Sequence, residues 1–434
     1  MSIVFSILIM LLILTVLVVV HEWGHYISAR IFGVKVNEFA IFMGPKIYSR
    51  VGKKTGVVFS IRCLPLGGFC AMEGEETTED SDSAFCNKPW WQRTIILLSG
   101  VFMNFILALV IVTVIFMIYG YDTREVSYTN EFMPAAIMNI EPGDKIIEYN
   151  GYDVLNPLDY NLVNYAVKES ENTFVVRKSD GREIEYKLVK NIDNTNKKAS
   201  IEIFSIKDES KIKIGTYIAT WDTDYLHIIN QSTELQNVRY EFSKDDSGTY
   251  ICKKSYCEAN NYISSENIFT SDEVKGILAS YSPDKIGFAF SKENGNIFEA
   301  IGNAAVYNVS MVKSVFNSIR WMVTGRLGMD AMSGPIGLTT VVDDVVTAEV
   351  SIWTRFVSLL DMAALISANL AAFNVLPIPG LDGGKLVFVV VELIRRGKKV
   401  PPEKEAIVSL IFLALLILFS IFIAGNDVLR IIRS

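Results

Sequence analysis

Two histidines and a glutamate lie within five residues, in the segment HEWGH at positions 21–25. At about 100° per residue, His21 and His25 lie about 40° apart on one helical face, one turn from each other. Two imidazoles so placed can bind one tetrahedral Zn²⁺, while Glu22 holds a carboxylate beside a water molecule that the metal acidifies. The spacing predicts zinc-dependent hydrolysis with Glu22 as the proton-transferring group.

The histidine pair directly follows an uncharged, mostly apolar run from Ile3 to Val20. This run is too long for the apolar core of a signal peptide and no basic residue precedes it, so we expect a retained transmembrane helix over residues 3–30. An ionisable group in a bilayer costs several kcal/mol and persists mainly where it lines a functional cavity. The histidines therefore indicate metal chemistry at membrane depth.

Composition indicates a membrane protein with a large polar segment. Of 434 residues, 50% are apolar and 21% are charged, and the mean hydropathy is positive. Further apolar runs predict spans at residues 94–119, 352–376 and 407–424, which gives four transmembrane helices. The net charge of −7, with both signs interspersed, gives no indication of nucleic-acid binding.

Basic residues set the predicted orientation. Lysines and arginines are concentrated between the first two spans and again at residues 395–404, before the last span. Both segments should be cytoplasmic, which places the termini and the polar stretch between spans two and three outside. We expect a multi-pass protein of the cell membrane with its active site towards the cytoplasmic face.

Asp382 is the candidate for the third protein ligand that a tetrahedral zinc site needs beside two histidines and water. It lies in NVLPIPGLDGG, residues 374–384, where the third span should approach the cytoplasmic side. Pro377 and Pro379 break the helix and three glycines let the chain turn, so non-helical backbone can direct a carboxylate inwards. The competing interpretation is a helix-terminating turn with an incidental aspartate.

The cysteines do not form a disulfide scaffold. Cys63, Cys70 and Cys86 fall in the predicted cytoplasmic segment, where thiols stay reduced, and they lack the CxxC spacing of a zinc site. Cys252 and Cys257 lie in the outer segment, where a local bridge could form. The third histidine, His227, is more typical of a surface or packing residue than of a ligand.

HEWGH on a first span together with NVLPIPGLDGG on a later one resembles the site-2 protease family of intramembrane zinc metalloproteases. Further segments match the same family pattern: GPK at 44–46, PLGGF at 65–69, KPWWQR at 88–93, a Gly100-to-Asn104 segment and SGPIG at 333–337. The resemblance implies that His21, His25 and Asp382 bind Zn²⁺, that Glu22 is the catalytic acid/base, and that Asn374 and Asn104 position substrate.

The resemblance also implies the substrates: single-span membrane proteins cut within or beside their transmembrane helix, such as anti-sigma factors already trimmed by a site-1-type protease, or remnant signal peptides. A helical substrate hides its peptide bonds, so it must unwind into a strand before cleavage. Residues 57–62 alternate apolar and polar and LPLGG then turns the chain, which predicts a β-hairpin. Its free edge could pair with substrate, or the hairpin could be purely structural.

The segment at residues 125–190 combines short apolar strands with Pro-Gly-Asp, Asn-Gly and Asp-Gly turns and resembles a PDZ domain of bacterial proteases. It could dock a substrate terminus, filter bulky ectodomains or act as a spacer. Residues 191–283 contain strand-like pieces without a catalytic motif. The apolar spacing after residue 297 predicts an interfacial amphipathic helix, because Lys313 and Arg320 interrupt it.

The predicted fold is thus an α-helical polytopic membrane protein with a cytoplasmic β-hairpin and an extracytoplasmic PDZ-like α+β domain. We divide it into residues 1–119 with HEWGH and the hairpin, 120–190 as the PDZ-like domain, 191–290 as an insertion, 291–351 with the interfacial helix, and 352–434 with the LDG segment. The alternatives are an inactive metal-binding membrane scaffold and a transporter. The intact set of candidate site residues disfavours the scaffold, and the lack of an inverted repeat disfavours the transporter.

Overall fold

A computed structural model of the chain describes residues 3–75, 77–207, 210–233, 237–245, 247–258, 261–265, 269–328 and 334–433. The chain divides into two compact units. One combines Met1–Tyr119 with Gly295–Ser434, and the other is Gly120–Asn294.

The helices and strands are numbered in chain order. The helices are α1 (Ile3–Ile31), α2 (Trp90–Tyr119), α3 (Pro134–Ile137), α4 (Pro157–Ala166), α5 (Ser271–Ser280), α6 (Ile297–Val323), α7 (Pro335–Thr347), α8 (Ile352–Val375), α9 (Asp382–Ile394) and α10 (Pro402–Arg433). The strands are β1 (Val36–Val51), β2 (Val58–Met72), β3 (Tyr121–Thr129), β4 (Lys145–Tyr149), β5 (Tyr152–Asp153), β6 (Glu171–Arg177), β7 (Glu183–Asp193), β8 (Lys198–Lys207), β9 (Ser210–Trp221), β10 (Tyr225–Ser232), β11 (Val238–Lys244), β12 (Tyr250–Glu258), β13 (Asn261–Ser265) and β14 (Phe288–Glu293).

Four helices among the described residues are long and apolar enough to cross a membrane. They are Val4–Ile31, Trp90–Tyr119, Ile352–Val375 and Glu403–Asp427, which lie in α1, α2, α8 and α10. Each coincides with a predicted span and is a few residues longer or shorter. Helix α6, which was expected to be interfacial, is not among the four. The chain is therefore a multi-pass membrane protein.

Helix α2 is the centre of the helical unit, because it packs against α1, α6, α8 and α9. Small side chains let α8 approach it closely: Ala364 and Ala368 are fully buried, and the Ser367 hydroxyl donates a hydrogen bond to the Asn104 carbonyl oxygen at 2.8 Å. Arg93 of α2 forms a buried ion pair with Glu392 of α9. Helix α2 is thus held from several sides.

The small sheet in this unit has a register that the sequence did not indicate. Residues 38–41 of β1 pair with residues 58–61 of β2 on one side and with residues 68–71 of the same strand on the other. The second half of β1, residues 46–51, pairs with residues 58–62. LPLGG therefore does turn the chain, carrying β2 from one side of β1 to the other. Residues 68–72 form an edge of the sheet, and residues 58–61 lie between the two halves of β1.

Charged side chains fasten this sheet internally. Glu38 accepts hydrogen bonds from the Ser60 hydroxyl at 2.5 Å and from Arg62 at 2.9 Å, and Lys46 lies 3.0 Å away. Burial alone would raise the pKa of Glu38, but these hydrogen bonds hold it below its ordinary value. The carboxylate stays charged, so the cluster ties β1 to β2 at neutral pH.

The second unit is built on one twelve-stranded sheet. Its strand order runs from β13 down to β6 without interruption and continues β4, β3, β14, with β5 paired to β4. The predicted Asn-Gly turn joins β4 and β5, with Asn150 and Gly151 both at positive φ. Strands β8 to β13, in a segment where we recognised only strand-like pieces, lengthen this sheet, each one pairing with the next along the chain. Residue 190, where we predicted a domain boundary, therefore lies within a continuous sheet. The division into domains stays a prediction.

Two further sequence predictions concern a disulfide bridge and the third histidine. Cys252 is a buried free thiol on β12, so the bridge to Cys257 that the predicted outer location would permit is not formed. His227 is exposed on β10 and its ring lies 5.3 Å from that of Tyr225. It is a surface residue.

Candidate active site

Three side chains from the two ends of the chain converge on one point. Nε2 of His21 lies 3.0 Å and Nε2 of His25 lies 3.3 Å from Oδ2 of Asp382, and the two Nε2 atoms are 3.1 Å apart. All three side chains are largely buried. Among the described residues this is the cluster of histidine, cysteine and carboxylate ligands that could hold a metal ion. Cys63, Cys70 and Cys86, which lack the CxxC spacing of a zinc site, do not form such a cluster.

The donor set and its spacing fit zinc. Ligands at about 2.0–2.1 Å from a tetrahedral ion lie about 3.3 Å from each other, close to the three separations measured here. Two neutral imidazole nitrogens and one carboxylate oxygen are also the ligands found in zinc hydrolases that leave a fourth position for water or substrate. The Asp382 oxygen that points at both rings has no ordinary hydrogen-bond donor to satisfy it, which is the environment that a cation would complete.

The backbone around Asp382 explains how a distant residue reaches the histidines. Helix α8 ends at Val375, and the Pro-containing loop turns at Gly380, whose φ is +100°. Asp382 then starts α9. A Cβ on Gly383 or Gly384 would overlap backbone carbonyl oxygens of residues 375–378. These two glycines therefore serve close packing of α9 on the loop, and only Gly380 makes the turn that we had expected of all three.

Helix α2 supports both histidines from behind. His25 Nδ1 lies 2.8 Å from the Ile96 carbonyl oxygen, and His21 Nδ1 lies 3.3 Å from the Asn104 side-chain amide. Gly100 stands halfway between them, and a Cβ there would lie 2.8 Å from His21 Nε2 and closer still to His25 Nε2. Residues 96, 100 and 104 are spaced by four, so they form one stripe on α2 that faces His21 and His25.

A cavity of about 800 Å³ opens beside the three ligands. Glu22 and Asn374 line it, together with residues 67–75 that follow the turn in β2. Asn374 is 8% exposed, whereas Asn104 is fully buried and does not belong to the lining. The structure thus places Glu22 and Asn374 where they could meet a substrate, and their roles stay predictions.

The edge strand at residues 68–72 borders this cavity. Among the described residues, nothing pairs with its outer edge, so its backbone groups can accept a further strand. Cys70 of this strand is buried, and burial raises the pKa of its thiol, which therefore stays neutral. It is a packing residue here.

An ion pair that sequence reasoning missed links the edge strand to α9. Lys385 lies one turn after Asp382 and pairs with Glu75, which follows β2. Both side chains line the cavity. The spacing of Lys385 from Asp382 was visible in the sequence, but nothing there indicated that Glu75 would meet it, because 310 residues separate the pair.

Comparison with known proteins adds an independent result. The sequence profile described as Peptidase family M50 matches residues 9–419. A protein of Clostridium acetobutylicum named as a zinc metalloprotease is 30% identical over 98% of this chain and 97% of its own length. Zinc metalloprotease RasP of Bacillus licheniformis is 27% identical over 97% of this chain and 98% of its own length. Regulator of sigma-W protease RasP of Bacillus subtilis is 26% identical over 97% of both chains.

The family match covers both ends of the chain that supply the metal cluster, and it covers the four apolar helices as well. The chain belongs to peptidase family M50, the site-2 protease family, and is a zinc metalloprotease of the membrane.

Proposed function

We propose that this protein cuts single-span membrane proteins within or beside their transmembrane helix, using His21, His25 and Asp382 to hold zinc and Glu22 as the acid/base. One observation supports this most strongly. Two imidazoles and a carboxylate converge, with their ligand atoms within 4.8 Å of one another, among helices that are apolar enough to cross a membrane. Buried ionisable groups in such a place are costly unless they serve a function.

The residues support a defined chemistry. Zinc, when bound, acidifies a water molecule and polarises the peptide carbonyl. Glu22 takes the proton of the attacking water and later delivers it to the nitrogen of the leaving amine, so that one proton is carried per bond broken. Asn374, on the cavity wall, is placed to donate a hydrogen bond to substrate backbone. Asp382 and the histidines stay fixed throughout.

We propose that the edge strand at residues 68–72 receives the unwound substrate. A peptide that pairs with this strand would run along the cavity that contains Glu22 and the metal ligands. Pairing replaces the helical hydrogen bonds that the substrate loses, which reduces the cost of unwinding. Lys385 and Glu75 hold this strand against the helix that begins with Asp382.

We further propose that the active site faces the cytoplasm and that residues 120–290 lie outside, as the distribution of lysine and arginine indicates. The PDZ-like part offers a groove of about 490 Å³ along β14, the last strand of its sheet. Tyr160 and Asn164 of α4 and Tyr281 line it. Docking of a substrate terminus there, or exclusion of bulky ectodomains, fits this unit.

The substrates proposed are anti-sigma factors trimmed beforehand by a site-1-type protease, or remnant signal peptides. A relative aligned over 97% of this chain is named as a regulator of sigma-W, which supports a role in regulated proteolysis. Both substrate kinds leave a single apolar helix with little outside the membrane.

Reconstitution tests the proposed activity. Purified protein in lipid vesicles should cleave members of a panel of single-span helices inside or next to the apolar segment. A zinc chelator should abolish cleavage and added Zn²⁺ should restore it, because both water activation and carbonyl polarisation depend on the metal. Cleavage that survives complete removal of zinc, or cuts only in soluble loops, would contradict the proposal.

Substrate ectodomain length tests the filtering role of residues 120–290. Shortening the ectodomain of a cleaved substrate should raise its cleavage rate, because less folded mass has to pass the outer unit. Shortening the cytoplasmic part of the same substrate by an equal number of residues is the control and should change the rate little. Rates that are independent of ectodomain length would show that the outer unit is a spacer.

A further inference from the structure

His25 shows how a metal-binding imidazole is oriented in this protein. Its Nδ1 lies 2.8 Å from the Ile96 carbonyl oxygen, which can only accept a hydrogen bond. Nδ1 therefore carries the ring proton and donates it, which leaves the lone pair on Nε2 directed at the metal position. Zinc-binding histidines generally need such a partner for the nitrogen that faces away from the metal.

The His21 ring must also direct Nε2 at the metal position, but its Nδ1 has a different neighbour. Its Nε2 faces Asp382 and His25, so Nδ1 must carry the proton when the ring binds a metal. The atom opposite Nδ1, at 3.3 Å, is the side-chain nitrogen of Asn104, which is also a donor. The oxygen of that amide is buried and has no partner among the described residues.

Turning the Asn104 amide by 180° removes both the contact between two donors and the unpaired oxygen. The oxygen and nitrogen of an asparagine amide have nearly the same shape, so the hydrogen-bond pattern decides their orientation. With the amide turned, Oδ1 accepts the hydrogen bond from Nδ1–H of His21, and the unpaired oxygen is satisfied. Two donors that face each other cannot form a hydrogen bond, and a buried polar group left without its partner costs about 1–3 kcal/mol, so the turned orientation is favoured when His21 binds a metal.

We propose that Asn104 is the positioning residue of His21: its amide oxygen accepts from Nδ1–H and keeps Nε2 directed at zinc. This inference rests on the proposed zinc ligands, and it gives Asn104 a role other than the substrate contact implied by resemblance. Asn104 is fully buried and does not line the catalytic cavity, while Asn374 does. Helix α2 then orients both rings, through the Ile96 carbonyl and through Asn104.

The test is the zinc affinity of the full-length protein in detergent, measured by competition with a chromophoric chelator. Asn104→Leu keeps the size but removes the acceptor, and it should weaken zinc binding by about 10–100-fold. Asn104→Asp offers only acceptor oxygens and should keep an affinity near that of the wild type. Substitution by cobalt gives a second readout, because the absorption bands of bound Co²⁺ should shift in Asn104→Leu.

Asn308 provides a matched control. It is a second fully buried asparagine, on α6, and its amide donates to the Phe105 carbonyl oxygen at 3.4 Å, one residue beyond Asn104. Asn308→Leu should affect stability but leave zinc affinity and the cobalt bands unchanged. Asn104→Ala and Asn308→Ala repeat the comparison without added bulk.

Two results would overturn the inference. One is a wild-type zinc affinity in Asn104→Leu or Asn104→Ala, which together with a raised KM would assign the residue to substrate. The other is an Asn104→Asp variant that binds zinc as weakly as the leucine variant, because then the amide N–H is the group that matters. Failure of the wild type to bind zinc would instead contradict the proposed function itself.

Discussion

Glu22→Gln is expected to bind zinc like the wild type. Its cleavage rate should fall by about 10²–10⁴-fold, the usual contribution of a general acid–base. Glutamine has nearly the same shape, so the helical turn from His21 to His25 and the metal cluster are undisturbed. It cannot take the proton of the attacking water. The measurement is cleavage of a reconstituted single-span substrate beside the zinc content of the same preparation.

Glu79→Gln is the matched control for this prediction. It removes the same charge at the exposed rim of the same cavity, away from the metal ligands. Its cleavage rate should stay close to that of the wild type. Equal turnover by Glu22→Gln and wild type would refute the assigned acid/base, and loss of zinc in Glu22→Gln would show that Glu22 is a ligand instead.

The sequence was most informative where the chemistry is local. His21, Glu22 and His25 lie within one helical turn and a half, so the period of the helix alone places the two imidazoles on one face. The apolar runs were equally readable, because a bilayer demands long uninterrupted stretches. Asp382 needed a longer argument from coordination number and membrane depth, and the structure brings it to both histidines.

What sequence reasoning missed depends on contacts between distant segments. Strand β1 was not recognised, and the free edge of the predicted hairpin was not assigned to a segment, because strand register is decided by which segments meet and not by alternation. The family resemblance pointed to the Gly100-to-Asn104 segment, but the position of Ile96, Gly100 and Asn104 opposite the two histidines was missed, since it arises only where α1 crosses α2. The pair of Glu75 and Lys385 was missed for the same reason.

The second unit, Gly120–Asn294, shows the same limit at a larger scale. The strand-like pieces after residue 191 were visible from their alternation, and the Asn-Gly turn was assigned correctly. Their assembly into one continuous sheet with β3 to β7 was not predicted. Hairpin pairing between neighbouring strands is local, but the choice between one sheet and two depends on which faces become buried, and this requires the folded context.

Gly100→Ala is expected to lower zinc affinity more than about 100-fold, beyond the 10–100-fold typical of residues that only support a ligand. The added Cβ would lie 2.8 Å from His21 Nε2 and closer still to His25 Nε2, the two atoms that face the metal. The rings cannot retreat, because Ile96 and Asn104 hold their other nitrogens. Separating α1 from α2 would also open their close crossing at Gly24, where a Cβ would overlap the Ser99 carbonyl oxygen.

Gly302→Ala is the matched control, because no atom lies within 4 Å of a Cβ at this helical glycine on α6. It should leave zinc affinity unchanged and stabilise its helix slightly. Chelator competition and metal analysis of the purified proteins decide the outcome. Gly100→Ala with full zinc content and wild-type affinity would mean that α2 does not limit the space around the two imidazole rings. The close crossing of α1 and α2 would then be explained by packing alone. The inference that one face of α2 supports both histidines would be contradicted.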